Sequence, residues 1–327
     1  MPARRSGEFE LIDRFLRPLA AGFAGAAGLG DDTARIDVPA GESLVVTTDA
    51  LVAGVHFLDR HDPGLIARKA LRVNLSDLAA AGARPLAYQL ALALPDSVDD
   101  DWIAAFCAGL ALDQAEFAIH LSGGDTVSTP GPLTICVTAF GAVPSSQARG
   151  RGGAQPGDKV FVTGTIGDGA LGLLAETGRL ADIETAHRAY LADRYLLPRP
   201  RVAMGLVLRG RVTATMDVSD GLVADLGHIC ARSGVAAVVD ADRVPLSAAA
   251  AAAVAADPSR LAVALTGGDD YELLFTAPRS AAAAIHEAAR AADVPVAEIG
   301  VVEAGSGVRA LRSGAEMRLA SGGFTHR

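Results

Sequence analysis

The stretch Leu44-Val45-Val46-Thr47-Thr48-Asp49 is an apolar run, rich in β-branched residues, that ends in two threonines and an aspartate. Such a run predicts a strand with an acid at its end. Five other stretches also end in aspartate after a segment rich in Gly, Ser or Thr. They are Gly30-Asp31-Asp32, Asn74-Leu75-Ser76-Asp77, Gly123-Gly124-Asp125, Asp217-Val218-Ser219-Asp220 and Gly267-Gly268-Asp269-Asp270. Acids at the points where strands meet loops predict a binding or catalytic site. Hard oxygen ligands on a glycine-rich backbone suit Mg²⁺, and Mg²⁺ in turn suits nucleotide phosphates.

The composition narrows the class of protein. The chain has 327 residues, 50% of them hydrophobic, and a formal net charge of −9. This charge argues against a nucleic-acid partner, which needs a basic face. No charge-free apolar run reaches the roughly 18 residues of a membrane span, and no signal peptide follows Arg4 and Arg5. Three dispersed cysteines, Cys107, Cys136 and Cys230, read as small buried hydrophobes in a reducing compartment, so we expect a cytoplasmic protein.

Strands alternate with helices along the chain, which predicts an α/β (α+β) protein. Predicted strands cover residues 44–48, 86–93, 117–121, 133–141, 159–163, 212–216, 236–239, 261–265 and 272–276. Predicted helices cover residues 63–81, 99–115, 169–177, 186–196, 221–233, 248–256 and 280–292. Residues 143–158 are rich in Gly and Pro and break both periodicities, so they predict a linker. The predicted domains are therefore 1–148 and 149–327, each supplying acids to the site.

Other motifs that could indicate a dinucleotide, P-loop or zinc site are weak or absent. Residues 167–172 match G-x-G-x-x-G, but no strand with a terminal acid follows about 20 residues later, so a structural turn is the better interpretation. The dipeptide Gly-Lys is absent, which excludes a P-loop, and no Cys/His cluster suggests zinc. His228 lies on a helical pattern and is interpreted as structural. His56 follows the strand that ends at Asp49, so it is a candidate ligand-contacting residue.

Two pairs of adjacent acids, Asp31-Asp32 and Asp269-Asp270, repel each other unless cations or basic groups neutralise them. The basic side chains Lys69, Arg72 and Arg84 are available, but Mg²⁺ explains the pattern more simply.

The ordered set of stretches resembles the thiamine-monophosphate kinase family, within the superfamily of aminoimidazole-ribonucleotide synthetase-like ATP-dependent enzymes. The matching stretches are residues 7–12, 28–32, 47–57, 69–80, 123–126, 217–226 and 267–273. The resemblance implies a two-domain PurM-like fold and a homodimer in which the N-terminal mixed sheets form a barrel-like core. It also implies direct in-line transfer of the γ-phosphoryl group of ATP to thiamine monophosphate, with several Mg²⁺ ions.

The resemblance assigns roles to individual residues. The implied metal ligands are Asp32, Thr47, Thr48, Asp49, Asp77, Asp125, Asp217 and Asp220, of which Asp49, Asp77, Asp125 and Asp220 are the expected catalytic group. Gly124, Arg151 and Ser219 are the implied ATP contacts. His56, Asp269 and Phe324 are the implied contacts to thiamine monophosphate.

This chain departs from the family pattern at three places. Asp269 replaces a usual glutamate, Val127-Ser128-Thr129 stands where an arginine is common, and Arg327 replaces a terminal phenylalanine. Alternatives are another activator of the same superfamily, of the aminoimidazole-ribonucleotide, selenophosphate or hydrogenase-maturation type, or a non-catalytic sensor of nucleotide or thiamine phosphate. Selenophosphate synthetases need a reactive cysteine near the N-terminus and hydrogenase-maturation enzymes need a C-terminal one. The first cysteine here is Cys107.

Overall fold

The computed structural model describes residues 5–319 and Gly323. The chain divides into two compact units. The first contains the described residues up to Leu78 together with Ala83–Ser145, and the second contains Ala79–Gly82 and the described residues from Ser146 onward. None of the helices among the described residues is long and apolar enough to span a membrane.

The first unit is built on a four-stranded mixed sheet. After the short helical segments Glu8–Leu11, Ile12–Leu16, Arg17–Ala20 and Ala24–Leu29, its elements are β1 (Glu42–Val52), α1 (Pro63–Ala80), β2 (Arg84–Leu94), α2 (Asp100–Phe117), β3 (His120–Ser128) and β4 (Thr134–Pro144). The strand order is β1-β4-β2-β3, with β2 and β3 parallel and the other pairs antiparallel.

Helices cover one face of this sheet. The hydroxyl of Thr47 on β1 donates to the carboxylate of Asp77 on α1, and Gln114 on α2 donates to the hydroxyl of Tyr88 on β2 at 3.0 Å. Side chains alternate along a strand, so Leu44 and Val46 of β1 lie on the other face. They are 42% and 52% exposed. We call this face, on which Leu44 and Val46 of β1 are exposed, the open face of the first sheet.

The second unit contains a seven-stranded mixed sheet and most of the helices. Its elements are β5 (Lys159–Thr163), α3 (Asp168–Glu176), α4 (Thr185–Leu196), α5 (Val202–Leu208), β6 (Ala214–Asp217), α6 (Leu222–Ser233), β7 (Ala236–Asp240), α7 (Ala248–Ala256), α8 (Arg260–Thr266), β8 (Leu273–Ala277), α9 (Ala282–Ala291), β9 (Val296–Glu303), β10 (Gly307–Arg312) and β11 (Ala315–Glu316). The order is β11-β10-β7-β9-β5-β8-β6. Stacked rings of Phe161 and Phe275 on neighbouring strands lie in its core, with centroids 5.4 Å apart.

The predicted α/β architecture is confirmed, but some elements differ. Residues 261–265, predicted as a strand, belong to helix α8, because a five-residue apolar run does not distinguish a buried strand from a buried helix. Residues 117–121 contain the end of α2 and only the start of β3. Helix α5 and strands β9, β10 and β11 were not predicted.

Candidate functional site

Two carboxylates and a threonine cluster on the helix-covered face of the first sheet. Thr47 and Asp49 alternate with Thr48 along β1, and Asp77 reaches them from α1. Thr47 donates its hydroxyl proton to Asp77. Burial, and then the nearby charge of Asp77, raises the pKa of Asp49 to about 6. Two carboxylates this close favour a shared cation, because a positive charge relieves their repulsion.

The other predicted ligands of the first unit lie on the open face. The hydroxyl of Thr48 is 2.9 Å from that of Thr138 on β4. Thr138 lines a cavity of about 610 Å³, which also contacts Asp32, Gly124 and Asp125. The sheet thus separates Thr47, Asp49 and Asp77 from the residues around the cavity.

The cavity of the first unit is acidic. Among the residues that the structure describes, its lining includes four acids, Glu8, Asp31, Asp32 and Asp125, and no Lys or Arg. A polyphosphate anion placed there meets carboxylates of its own sign, so it requires bound cations. The carboxylate and hydroxyl oxygens on both faces are the donor set that Mg²⁺ takes.

The predicted position of the acids at strand ends is wrong for most of the first unit. β1 continues past Asp49 to Val52, Asp77 lies within α1, and Gly123-Gly124-Asp125 lies within β3. Packing between strands, and not only the approach of a phosphate, requires glycine at position 124. A Cβ there would lie 1.8 Å from the carbonyl oxygen of Leu90 on β2, so the neighbouring strand excludes any side chain.

In the second unit, Asp217 ends β6 and is followed by a loop that a buried carboxylate organises. One oxygen of Asp225, on α6, accepts the amides of Ser219, Asp220 and Gly221 at 3.0, 3.1 and 3.1 Å. Burial is the main cause that raises the pKa of Asp225 to about 7, and the charge of Asp220 adds to it. Asp225 was not predicted as a site residue, because an acid in the first turn of a helix is ordinary.

His228 lies closer to this loop than its structural interpretation implied. Ligand atoms of Asp220, Asp225 and His228 all lie within 4.8 Å of one another, a spacing at which the three could hold a metal ion.

A second loop brings Asp269 to the same place. The amide of Asp269 donates to the carbonyl of Ser219 at 2.9 Å, and the amide of Tyr271 donates to that of Val218 at 2.8 Å. The Tyr271 hydroxyl donates to Oδ1 of Asp269 at 3.0 Å. The structure therefore places Ser219, Asp220 and Asp269 on two joined loops, with Asp217 at the end of the strand that leads into the first loop.

The adjacent acids Asp269 and Asp270 do not share a cation. Asp270 turns into the interior, where its two oxygens accept the amides of Gly167 and Gly169 at 2.8 and 2.9 Å. Burial raises its pKa well above the ordinary value. Asp270 thus occupies the amides of the G-x-G-x-x-G turn, which explains why that turn is structural.

Three predicted contacts are less closely tied to these clusters. His56 follows β1, and its Nδ1 accepts the amide of Val52 at 3.0 Å. The side chain of Arg151 is exposed, and its carbonyl accepts the hydroxyl of Ser233 at 3.3 Å. Phe324 lies outside the described residues. Of the basic residues considered for neutralisation, Arg72 pairs with Asp113 and Glu116, and Arg84 pairs with Glu42.

Comparison with known proteins identifies the class first. Residues 30–143 match the AIR synthase related protein, N-terminal domain, and residues 155–312 match the C-terminal domain of the same family. A thiamine-monophosphate kinase from Caulobacter vibrioides is 44% identical over 98% of this chain and 90% of its own length. Within the AIR synthase related class, the chain belongs to the thiamine-monophosphate kinase family.

Solved structures agree with this assignment. The crystal structure of thiamine-monophosphate kinase from Stenotrophomonas maltophilia K279a is 45% identical, with a TM-score of 0.84 over 95% of this chain and 98% of that one. AaThiL complexed with AMPPCP and TMP is 32% identical, with a TM-score of 0.76 over 95% and 94%. The predicted family and two-domain fold are confirmed.

Proposed function

We propose that this protein transfers the γ-phosphoryl group of ATP to thiamine monophosphate, which yields thiamine diphosphate and ADP. The observation that carries the proposal is the set of closely placed carboxylates, Asp49 with Asp77 in the first unit and Asp220 with Asp225 in the second, in a chain of this family. A relative complexed with AMPPCP, an analogue of ATP, and with TMP supports the two substrates.

The chemistry explains why acids rather than a general base dominate. Two phosphate anions must approach each other, and the acceptor phosphate is already ionised at neutral pH, so no side chain has to remove a proton. When bound, Mg²⁺ ions supply the positive charge that offsets this repulsion. The protein must then hold carboxylates at fixed places, and the Thr47–Asp77 hydrogen bond and the three amides on Asp225 support that role.

We assign the binding roles as follows. Asp32, Thr47, Thr48, Asp49, Asp77 and Asp125 of the first unit, with Asp217 and Asp220 of the second, hold several Mg²⁺ ions. Gly124, Ser219 and the fork-shaped side chain of Arg151 contact ATP. His56 and Asp269 contact thiamine monophosphate. The acidic cavity, whose described lining residues include no basic side chain, supports entry of the nucleotide as its magnesium complex.

We also propose a homodimer formed through the open face of the first sheet. Leu44, Val46 and Val127 on its strands are 42%, 52% and 49% exposed. Large exposed apolar side chains on one sheet face favour a partner surface. Another sheet of the same chemistry, from a second copy, fits such a face. A cytoplasmic location stays a prediction.

The test is to incubate the protein with ATP, Mg²⁺ and thiamine monophosphate and to quantify thiamine diphosphate and ADP. We expect the two products in equal amounts and only with Mg²⁺. If another phosphate acceptor consumes ATP while no thiamine diphosphate forms, the proposed acceptor is wrong. A sensor would bind both ligands and form neither product.

Asp49→Asn tests the metal role within the same assay. Loss of this carboxylate should lower kcat by about 10²–10³-fold, because charge neutralisation at the phosphates weakens. The variant should keep its circular dichroism spectrum and melting temperature within a few degrees. Asp96→Asn is the matched control, since Asp96 is an exposed acid of the same unit. Normal turnover by Asp49→Asn would exclude Asp49 as a ligand.

A further inference from the structure

The loop that carries Asp269 has an unusual backbone. Gly268, Asp269 and Tyr271 have φ values of +76°, +63° and +51°. Left-handed backbone is natural for glycine but strained for residues with a Cβ, so Asp269 and Tyr271 both store strain. Such strain persists only where the surrounding structure imposes it. The side chains that impose it here are the two carboxylates on either side of Tyr271.

Asp270 is the first anchor. It is 2% exposed, and each of its oxygens accepts one amide of the turn that opens α3. The fit around this turn is close, since a Cβ at Gly169 would lie 2.2 Å from the carbonyl oxygen of Asp269. Asp270 therefore fixes the backbone on the C-terminal side of Asp269.

Glu272 is the second anchor and is fully buried. Arg201 donates Nε to its Oε2 and Nη2 to its Oε1, both at 2.6 Å. Arg194 adds Nη2 to Oε1 at 3.1 Å, and the hydroxyl of Thr163 on β5 adds a bond to Oε2 at 2.7 Å. Four donors on one carboxylate hold it much more firmly than a surface ion pair.

The anchored loop is also joined to the loop of Asp217 and Asp220. Besides the bonds from Asp269 and Tyr271, the amide of Val218 donates to the carbonyl of Glu272 at 2.9 Å. A Cβ at Gly268 would lie 2.2 Å from the carbonyl of Ser219. Backbone hydrogen bonds thus connect Glu272 directly to the loop that follows Asp217.

We propose that Asp270 and the Glu272–Arg201 ion pair are positioning residues for the acceptor. They hold residues 268–271 in the strained conformation that presents the carboxylate of Asp269 to thiamine monophosphate. Neither anchor touches the substrate, because both carboxylates are buried and fully engaged with protein donors. This inference rests on the proposed function, in which Asp269 contacts the acceptor.

Arg201→Lys tests the pair, since lysine keeps the charge but loses the fork. We expect KM for thiamine monophosphate to rise about 10-fold while KM for ATP stays within about twofold, because a small misplacement of one binding group is selective. Arg260→Lys is the matched control, because Arg260 makes a similar bidentate pair in the same unit. Its Nη1 and Nη2 donate to the carboxylate of Asp182 at 2.7 and 2.8 Å. Equal rises in both KM values, or no change, would overturn the inference.

A double-mutant cycle asks whether Arg201 acts through Asp269. Asp269→Gly removes the carboxylate and should itself raise KM for thiamine monophosphate. In that background, Arg201→Lys should add less than a twofold further rise, since there is no carboxylate left to position. A full 10-fold rise in the glycine background would show that Arg201 acts by another route.

A stability cycle tests the anchors without any substrate. Glycine adopts the φ of Asp269 without strain, so Asp269→Gly should raise Tm by about 2 °C. The gain should shrink when Arg201→Lys weakens the anchor, while the entropy of glycine in the unfolded chain cancels between backgrounds. An equal gain in both would refute the imposed strain. Absence of thiamine diphosphate with the wild-type protein would refute only the proposed function.

Discussion

Asp270 and Asp225 are buried carboxylates that accept backbone amides, Asp270 with both oxygens and Asp225 with one, whereas Asp220 and Asp269 are the acids predicted to contact ligands. The sequence does not distinguish the two kinds, because each buried acid lies within a few residues of an acid of the other kind. Which of two adjacent acids turns inward depends on the amides that a distant turn presents, here Gly167 and Gly169. This information is tertiary, so the sequence predicted the presence of a site but not the division of its acids.

Cys136 offers a chemical test of the acidic cavity at the scale of one residue. It lines the cavity and is partly buried, and burial, with the charge of Asp49, raises its thiol pKa. Burial raises the pKa of Cys107 to about 12 and that of Cys230 to about 11. Only the thiolate reacts, so alkylation of Cys136 should be slow at pH 7 and quicken with pH, ahead of the other two.

Bound nucleotide should protect Cys136. We expect ATP with Mg²⁺ to slow its modification by iodoacetamide at pH 9 at least fivefold, measured by peptide mass spectrometry. Cys136→Ser supplies the background from the other two thiols. An unchanged rate at saturating nucleotide would place ATP elsewhere.

At the scale of elements, the adjacent residues Gly123 and Gly124 on β3 differ in how closely the neighbouring strand packs against them. A Cβ at Gly124 would collide with the Leu90 carbonyl, whereas one at Gly123 would meet only Nε2 of Gln89 at 3.9 Å. Gly124→Ala should therefore lower the free energy of unfolding by about 3 kcal/mol, because β2 and β3 must separate. Gly123→Ala should cost less than about 1 kcal/mol. Urea denaturation measures both, and equal losses would contradict the close approach.

The elements also show where sequence patterns are sufficient. The strand at 159–163 and the helix at 248–256 were predicted with the observed bounds, since each has a strong composition and clear flanking residues. The helix Arg260–Thr266 was mistaken for a strand, and Val296–Glu303 was missed. Both are short apolar segments whose conformation depends on their neighbours in the sheet and the core.

At the scale of the whole molecule, the open sheet face predicts the oligomeric state. Val46→Glu places a charge on this face, so it should convert a dimer to a monomer, because burying an unpaired carboxylate is costly. Sedimentation velocity measures the change. Leu112→Glu is the matched control: Leu112 is 60% exposed on α2, on the helical side of the same unit. A monomeric wild-type protein, or a dimer that survives Val46→Glu, would contradict the proposed interface.

The acidic lining of the cavity in the first unit also bears on whether ATP binds there alone or as its magnesium complex. Uncomplexed ATP brings its full negative charge against Glu8, Asp31, Asp32 and Asp125. The magnesium complex carries less charge and brings cations that these acids can bind. If the nucleotide binds in this cavity as proposed, we expect excess magnesium-free ATP to inhibit only weakly, and we expect the rate to depend on free magnesium as well as on the nucleotide.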